Sequence, residues 1–159
     1  MSGKTNPIPE GYHSVTPYLC VSDAARAIEF YKEAFGATER MRFEMTGGKI
    51  GHAEIKIGDS IVALADEMPE MNFRSPQALG GPSSHFMIYV EDVDARVERA
   101  VAAGAKLTRP VKDEFYGDRA GTVEDPFGHV WFIATHVEDL SEEEIRRRAA
   151  AEMAQHAGA

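Results

Sequence analysis

Apolar positions alternate along some stretches of the chain and recur every three or four residues along others, and the switch between the two spacings happens twice. Residues 15–21, VTPYLCV, alternate as a strand does. From Ser22 the spacing turns helical: in SDAARAIEFYKEAFG, Ile28, Tyr31 and Phe35 form one apolar stripe. Ser22 or Asp23 can accept from the first free backbone N–H groups of that helix, and Gly36 is placed to end it. Three more strands are predicted, ERMRFEMT, IGHAEIKI and SIVALAD, separated by the turn signals GGK and GDS.

Residues 67–84 carry three prolines and adjacent glycines and read as a long connector. The pattern then restarts. HFMIYV is a strand, DVDARVERAVAAGA is a helix with Val93, Val97 and Val101 on one face, and extended segments run on through TVEDPFGHVWFIATH. Shifting the first half by 69 positions places Asp23 on Asp92, Ile28 on Val97 and Tyr31 on Ala100. Two copies of one βαβββ unit explain that register, with a pair of unrelated ferredoxin-like halves as the other reading. The expected layout is a flexible leader (1–11), module one (12–66), the connector (67–84), module two (85–139) and a C-terminal helix and tail (140–159). In the tail, Ser141 and Glu144 have the capping-box spacing, and Ile145, Ala149 and Met153 share a face that covers either this domain or a second subunit.

Length and charge narrow the function. A chain of 159 residues fits one domain or two very small ones, and its net charge of -9 repels a phosphate backbone, so nucleic acid is not an expected partner. No apolar run approaches the ~20 residues of a membrane span. With one cysteine, Cys20, and a start, MSGKTNPIPE, that lacks the apolar core of a secretory signal, a cytoplasmic location is expected.

Four stretches carry a resemblance: VSDAARAIEFYKEAFG, KIGHAEIKIGDSIVALAD, HFMIYVEDVDARVERAVAAGA and GDRAGTVEDPFGHVWFIATH. Together they resemble the vicinal oxygen chelate superfamily of glyoxalases, bleomycin-resistance proteins and extradiol dioxygenases, close to its PhnB-like branch. The resemblance implies an α+β fold in which two βαβββ modules form a cup-shaped mixed sheet, here with an extra C-terminal helix. It also implies that metalloenzymes of the family hold a divalent ion with side chains at four positions, which in this chain are Thr16, Ala63, His85 and Phe132. Of these, His85 alone is a family-type ligand. A hydroxyl, a methyl and a phenyl ring do not make up a catalytic metal site, so no cofactor is expected, and a divalent metal is possible but not favoured.

Strand alternation places Met87 and Tyr89 on the side of His85, Tyr18 and Cys20 on the side of Thr16, and Val130 and Ala134 on the side of Phe132. His85 is then either a ligand contact or a structural histidine bonded to backbone or to Tyr18. His52 and Glu54 share a face, as base and partner or as substitute ligands, although Lys56 continues that face and reads it as solvated. His129 and His136, seven apart, point to opposite faces. Tyr116, Asp118 and Arg119 contact ligand or fix a loop, and Phe73 and Arg74 could cover the cup. The expected ligand set is Thr16, Tyr18, His52, Glu54, His85, Met87, Tyr89 and Phe132. The function expected is a metal-independent small-molecule-binding protein of the glyoxalase/bleomycin-resistance type, acting as a homodimer. The alternative is a metal-dependent lyase, isomerase or dioxygenase with relocated ligands.

Overall fold

A computed structural model describes residues 5–157. The first module runs β1 (Tyr18–Val21), α1 (Ala24–Phe35), β2 (Thr38–Glu44), β3 (Ile50–Ile57) and β4 (Ser60–Asp66). After a 3-10 turn, Pro69–Met71, and a short helix α2, Pro76–Leu79, the second runs β5 (His85–Tyr89), α3 (Val93–Ala102), β6 (Lys106–Asp113), β7 (Asp118–Glu124) and β8 (Val130–His136). Helix α4, Glu142–Ala157, closes the described chain. The strands form two four-stranded mixed sheets, ordered β1-β4-β3-β2 and β5-β8-β7-β6, with β1–β4 and β5–β8 parallel. The α+β class and the βαβββ repeat are therefore as expected.

The described chain forms two compact units, residues 5–83 with 126–128, and residues 84–125 with 129–157. In the first, α1 buries Ala24, Ala27, Ile28, Phe30, Tyr31, Ala34 and Phe35. The ring of Phe127 joins that cluster, with its centroid 6.2 Å from Phe30 and 6.5 Å from Tyr31. Asp23, rather than Ser22, caps α1 by accepting from the Arg26 N–H at 3.0 Å, and Gly36 ends it in the left-handed region at φ 68°. Buried Asp66 accepts from the backbone N–H groups of Ala24, at 2.8 Å, and Ile50, at 2.7 Å, tying the starts of α1 and β3 to the end of β4. In the second unit a hydroxyl does related work: Thr135 Oγ1 accepts from Val93 N–H and donates to the Val90 carbonyl, both at 2.9 Å.

Three local expectations change. The first strand begins at Tyr18 instead of Val15: Pro17 has no N–H to donate, and only its carbonyl joins the sheet, accepting from Ala63 N–H at 2.9 Å. On α3, Val93 and Val97 are buried but Val101 is 42% exposed. Seven residues complete two helical turns, so Ala100 falls beneath Val93 and is fully buried, whereas Val101 is rotated about 80° past that line. In the tail, Ser141 Oγ accepts from Glu144 N–H at 3.2 Å, but the Glu144 carboxylate pairs with Arg147 and Arg148. Ile145 and Ala149 are half-buried, and Met153 is exposed.

Candidate binding faces

In the first sheet one row crosses all four strands, because Tyr18 pairs with Ala63, Ala63 with Glu54, and Glu54 with Met41. Phe43 pairs with His52 in the same way, and alternation puts these side chains on one face. Tyr18, Met41 and Phe43 are 49%, 46% and 64% exposed. Thr16 lies just before β1 and is half-buried.

Glu54 is buried on this face, which corrects the expectation of a solvated strand surface; Lys56, two residues on, is exposed. Its cover comes from Tyr12 and Arg40, elsewhere in the chain, and from His52 on its own strand. The Tyr12 hydroxyl donates to Oε1, His52 Nε2 lies 3.3 Å from the same oxygen, and Arg40 Nη1 donates to Oε2 at 3.2 Å. Arg40 reaches that carboxylate from a register shift between Glu39 and Met41, a bulge that re-aims one side chain of β2. Burial alone pushes the Glu54 carboxyl up, but hydrogen bonds from Tyr12 and His52 and the charge of Arg40 together hold it below the ordinary carboxylate range. The chain of contacts continues outward: the Tyr18 hydroxyl lies 2.9 Å from His52 Nδ1, with the rings edge to face at 5.4 Å. Burial raises the Tyr18 phenol above its usual pKa. Phe73, from the connector, packs 5.3 Å from the Tyr18 ring. Cys20, on the same strand, is buried, and burial pushes its thiol up to about 11.

In the second sheet His85, Met87 and Tyr89 are exposed on one face, while Phe86 turns the other way against Trp131, at 5.0 Å, and His129. Met87 pairs with Phe132, and the His85 ring lies 5.6 Å from that of Phe132. The Tyr89 hydroxyl donates to buried Asp118 at 2.8 Å; the other Asp118 oxygen meets His136 Nδ1 at 2.7 Å, and His136 Nε2 meets Asp139 at 3.0 Å. Asp118 first, and then Asp139, raise the His136 pKa above the usual imidazole value. His129, by contrast, is buried, its backbone N–H donating to Asp125, so the two histidines serve different surroundings. Arg119 is held by Asp94 and Asp113, which ties β7 to α3.

Residues 11–133 match the Glyoxalase/Bleomycin resistance protein/Dioxygenase superfamily. The chain belongs to that superfamily. An uncharacterised protein of Mycobacterium tuberculosis is 40% identical over 136 residues, 84% of this chain and 80% of that protein. A lactoylglutathione lyase of Arabidopsis thaliana is 31% identical over 114 residues, 70% of this chain but 40% of the lyase. Among solved structures, TioX from Micromonospora sp. ML1 superposes with a TM-score of 0.61 at 27% identity, covering 81% of this chain and all of TioX.

The superfamily's metalloenzyme positions do not fit an ion here. Ala63 and Phe132 offer no donor atom, Thr16 offers a hydroxyl, and His85 alone offers an imidazole. Among the described residues no group of three or more His, Cys, Asp or Glu side chains is placed to hold a metal. His136 turns a different nitrogen to each of Asp118 and Asp139. Sequence spacing had not brought in Tyr12, Arg40 or Asp139. A bulge and a contact across 42 residues, such as Tyr12 with Glu54, leave no periodic signal.

Proposed function

We propose that this chain is a metal-independent small-molecule-binding protein of the glyoxalase/bleomycin-resistance type, of the PhnB-like branch, holding a small organic ligand against the open faces of its sheets. The observation that carries this reading is that each unit leaves large apolar side chains exposed on one sheet face, Tyr18 on β1 and Met41 and Phe43 on β2 in one unit, and Met87 and Tyr89 on β5 in the other. Apolar side chains that share a face with a few polar groups are what ligand sites use. Thr16, Tyr18 and His52 would serve the ligand from the first unit, with Glu54 holding His52 in place, and His85, Met87, Tyr89 and Phe132 from the second.

No helix of the described residues is long and apolar enough to cross a membrane, and the net charge of -9 argues against a nucleic-acid partner. A cytoplasmic homodimer completes the proposal; exposed Met153 on α4 supports a second subunit covering that stripe.

A second reading, a lyase, isomerase or dioxygenase with relocated ligands, draws on the His52–Glu54 contact and on the likeness to a lactoylglutathione lyase. Against it, both Glu54 oxygens are already accepting from Tyr12, His52 and Arg40. Calorimetric titration with metal-free bleomycin, beside elemental analysis of protein purified without chelators, separates the two. Saturable binding that survives chelator treatment supports the proposal. One tightly held divalent ion per chain, with binding lost on its removal, overturns it.

A further inference from the structure

The open face of the first sheet is buried in its middle and bare at its margins. Ile61 and Ala63 on β4 and Glu54 on β3 share that face, and all three are buried. Tyr18 on the β1 edge and Met41 on the β2 edge are 49% and 46% exposed. Part of the cover comes from the segment before β1. A Cβ on Gly11 would stand 3.8 Å from Ile61 Cδ1. The Tyr12 hydroxyl donates to Glu54, and the Arg40 guanidinium lies 5.5 Å from the centre of the Tyr12 ring.

That segment is seated by one side chain. Among residues 5–15, Tyr12 is half-buried and every other residue is exposed. Its aim is set locally: Tyr12 N–H donates to the Pro9 carbonyl at 3.1 Å, closing a turn whose third residue, Gly11, stands in the left-handed region at φ 82°. Beyond it His13, Ser14 and Val15, all exposed, lead to Pro17, whose carbonyl joins the sheet. Lifting Tyr12 does not strand a buried charge. Glu54 keeps the Arg40 guanidinium and the His52 contact, and water takes the place of the phenol hydrogen bond. The leader is thus fastened where it touches the face and exposed on both sides of that point.

We propose that residues 8–13 are a displaceable cover of the first sheet's binding face: Tyr12 seated on Glu54 keeps ligand from the strip of Ile61, Ala63 and Glu54 beside Tyr18 and His52, and release of that one side chain admits it. This rests on the small-molecule-binding reading above and adds its regulation. Ligand and leader then compete for one surface. The apparent association constant is the intrinsic one multiplied by the fraction of chains with the cover lifted, so weakening the seat tightens binding without any new contact. The competition is reciprocal: a bound ligand holds the leader away.

The test follows leader and face separately by NMR and fluorescence in the isotopically labelled full chain, with N-phenyl-1-naphthylamine, a neutral apolar fluorophore, as the probe. Tyr12→Phe keeps the ring and removes the hydrogen bond to Glu54. Gly11→Ala keeps the hydroxyl and disfavours the turn that aims it, since a side chain is strained at φ 82°. Either variant is expected to lower the heteronuclear NOE of the amides of residues 10–13 while those of β3 and β4 keep their values, and to tighten probe binding by on the order of tenfold. Saturating probe should loosen the same leader amides in the native chain and shift Tyr18 and His52 resonances. A leader that loosens with no change in probe affinity, or one that stays rigid in both variants, overturns the cover and leaves the binding reading standing. Failure of the native chain and both variants to bind the probe at this face, with the leader loosened, also overturns the cover; the binding reading is then decided by the bleomycin titration alone.

Discussion

Glu54 and Ala63 are direct cross-strand partners, so the carboxylate of the first sheet stands one strand away from the position where the superfamily's metalloenzymes are expected to carry a ligand. The carboxylate is spent on its own surroundings. Glu54→Gln keeps the shape but leaves Arg40 without its counter-charge and weakens the bonds from Tyr12 and His52. A loss of about 1–3 kcal/mol is expected, read by urea denaturation. An unchanged midpoint would mean the network is decorative.

Ala63→Glu restores the residue type of a metalloenzyme at that position. It also sets a second carboxylate opposite the first, and like charges directly opposite on a sheet face repel. The variant should be less stable than the parent by about 1 kcal/mol or less from that pair alone, and adding zinc or manganese should not raise its melting temperature. A metal-dependent rise of several degrees would show that the missing donor was all the site lacked.

His136 titrates against two aspartates. Its folded pKa is raised, so the stability it contributes is fully present below the unfolded value, ~6.5, and is lost as pH rises through the higher folded value. Histidine NMR titration should place its midpoint above that of an unstructured histidine, and Asp118→Asn should bring it down. If Asp118→Asn leaves the midpoint where it was, the Asp118 contact is not what holds the proton.

Cys20 is buried, with its thiol pushed up to about 11. At pH 8 the folded chain should react with iodoacetamide far more slowly than the chain in urea, because the thiolate is the nucleophile and little of it forms. Equal rates in the two conditions would show that the β1 face opens on the timescale of the assay.

The helices were legible because their signals are local and repeated. Asp23 and Asp92 each cap a helix, by accepting from Arg26 N–H and Ala95 N–H, and the buried stripe of α1 falls where the spacing of three and four puts it, while on α3 Ala100 takes the place expected of Val101. The edge of a strand was less so, since alternation continues through Thr16 while Pro17 withholds a donor. For the candidate faces, alternation puts His85, Met87 and Tyr89, which are exposed, on the side opposite Phe86 and Ile88, which are half-buried. It could not see that Glu54 is buried. That outcome depends on a bulge at Arg40 and on Tyr12, 42 residues away in the chain, and period alone carries neither. Likewise the partner of the Tyr18 hydroxyl is His52, two residues from the Glu54 that register sets in the row of Tyr18.

Phe127 belongs by sequence to the turn before β8, yet its ring completes the aromatic cluster of Phe30 and Tyr31 in the first unit. The duplicated modules are therefore not interchangeable cassettes. A chain cut after the connector would lack the ring that the leading half packs against Phe30 and Tyr31, so that half is finished only by residues that follow most of the second module.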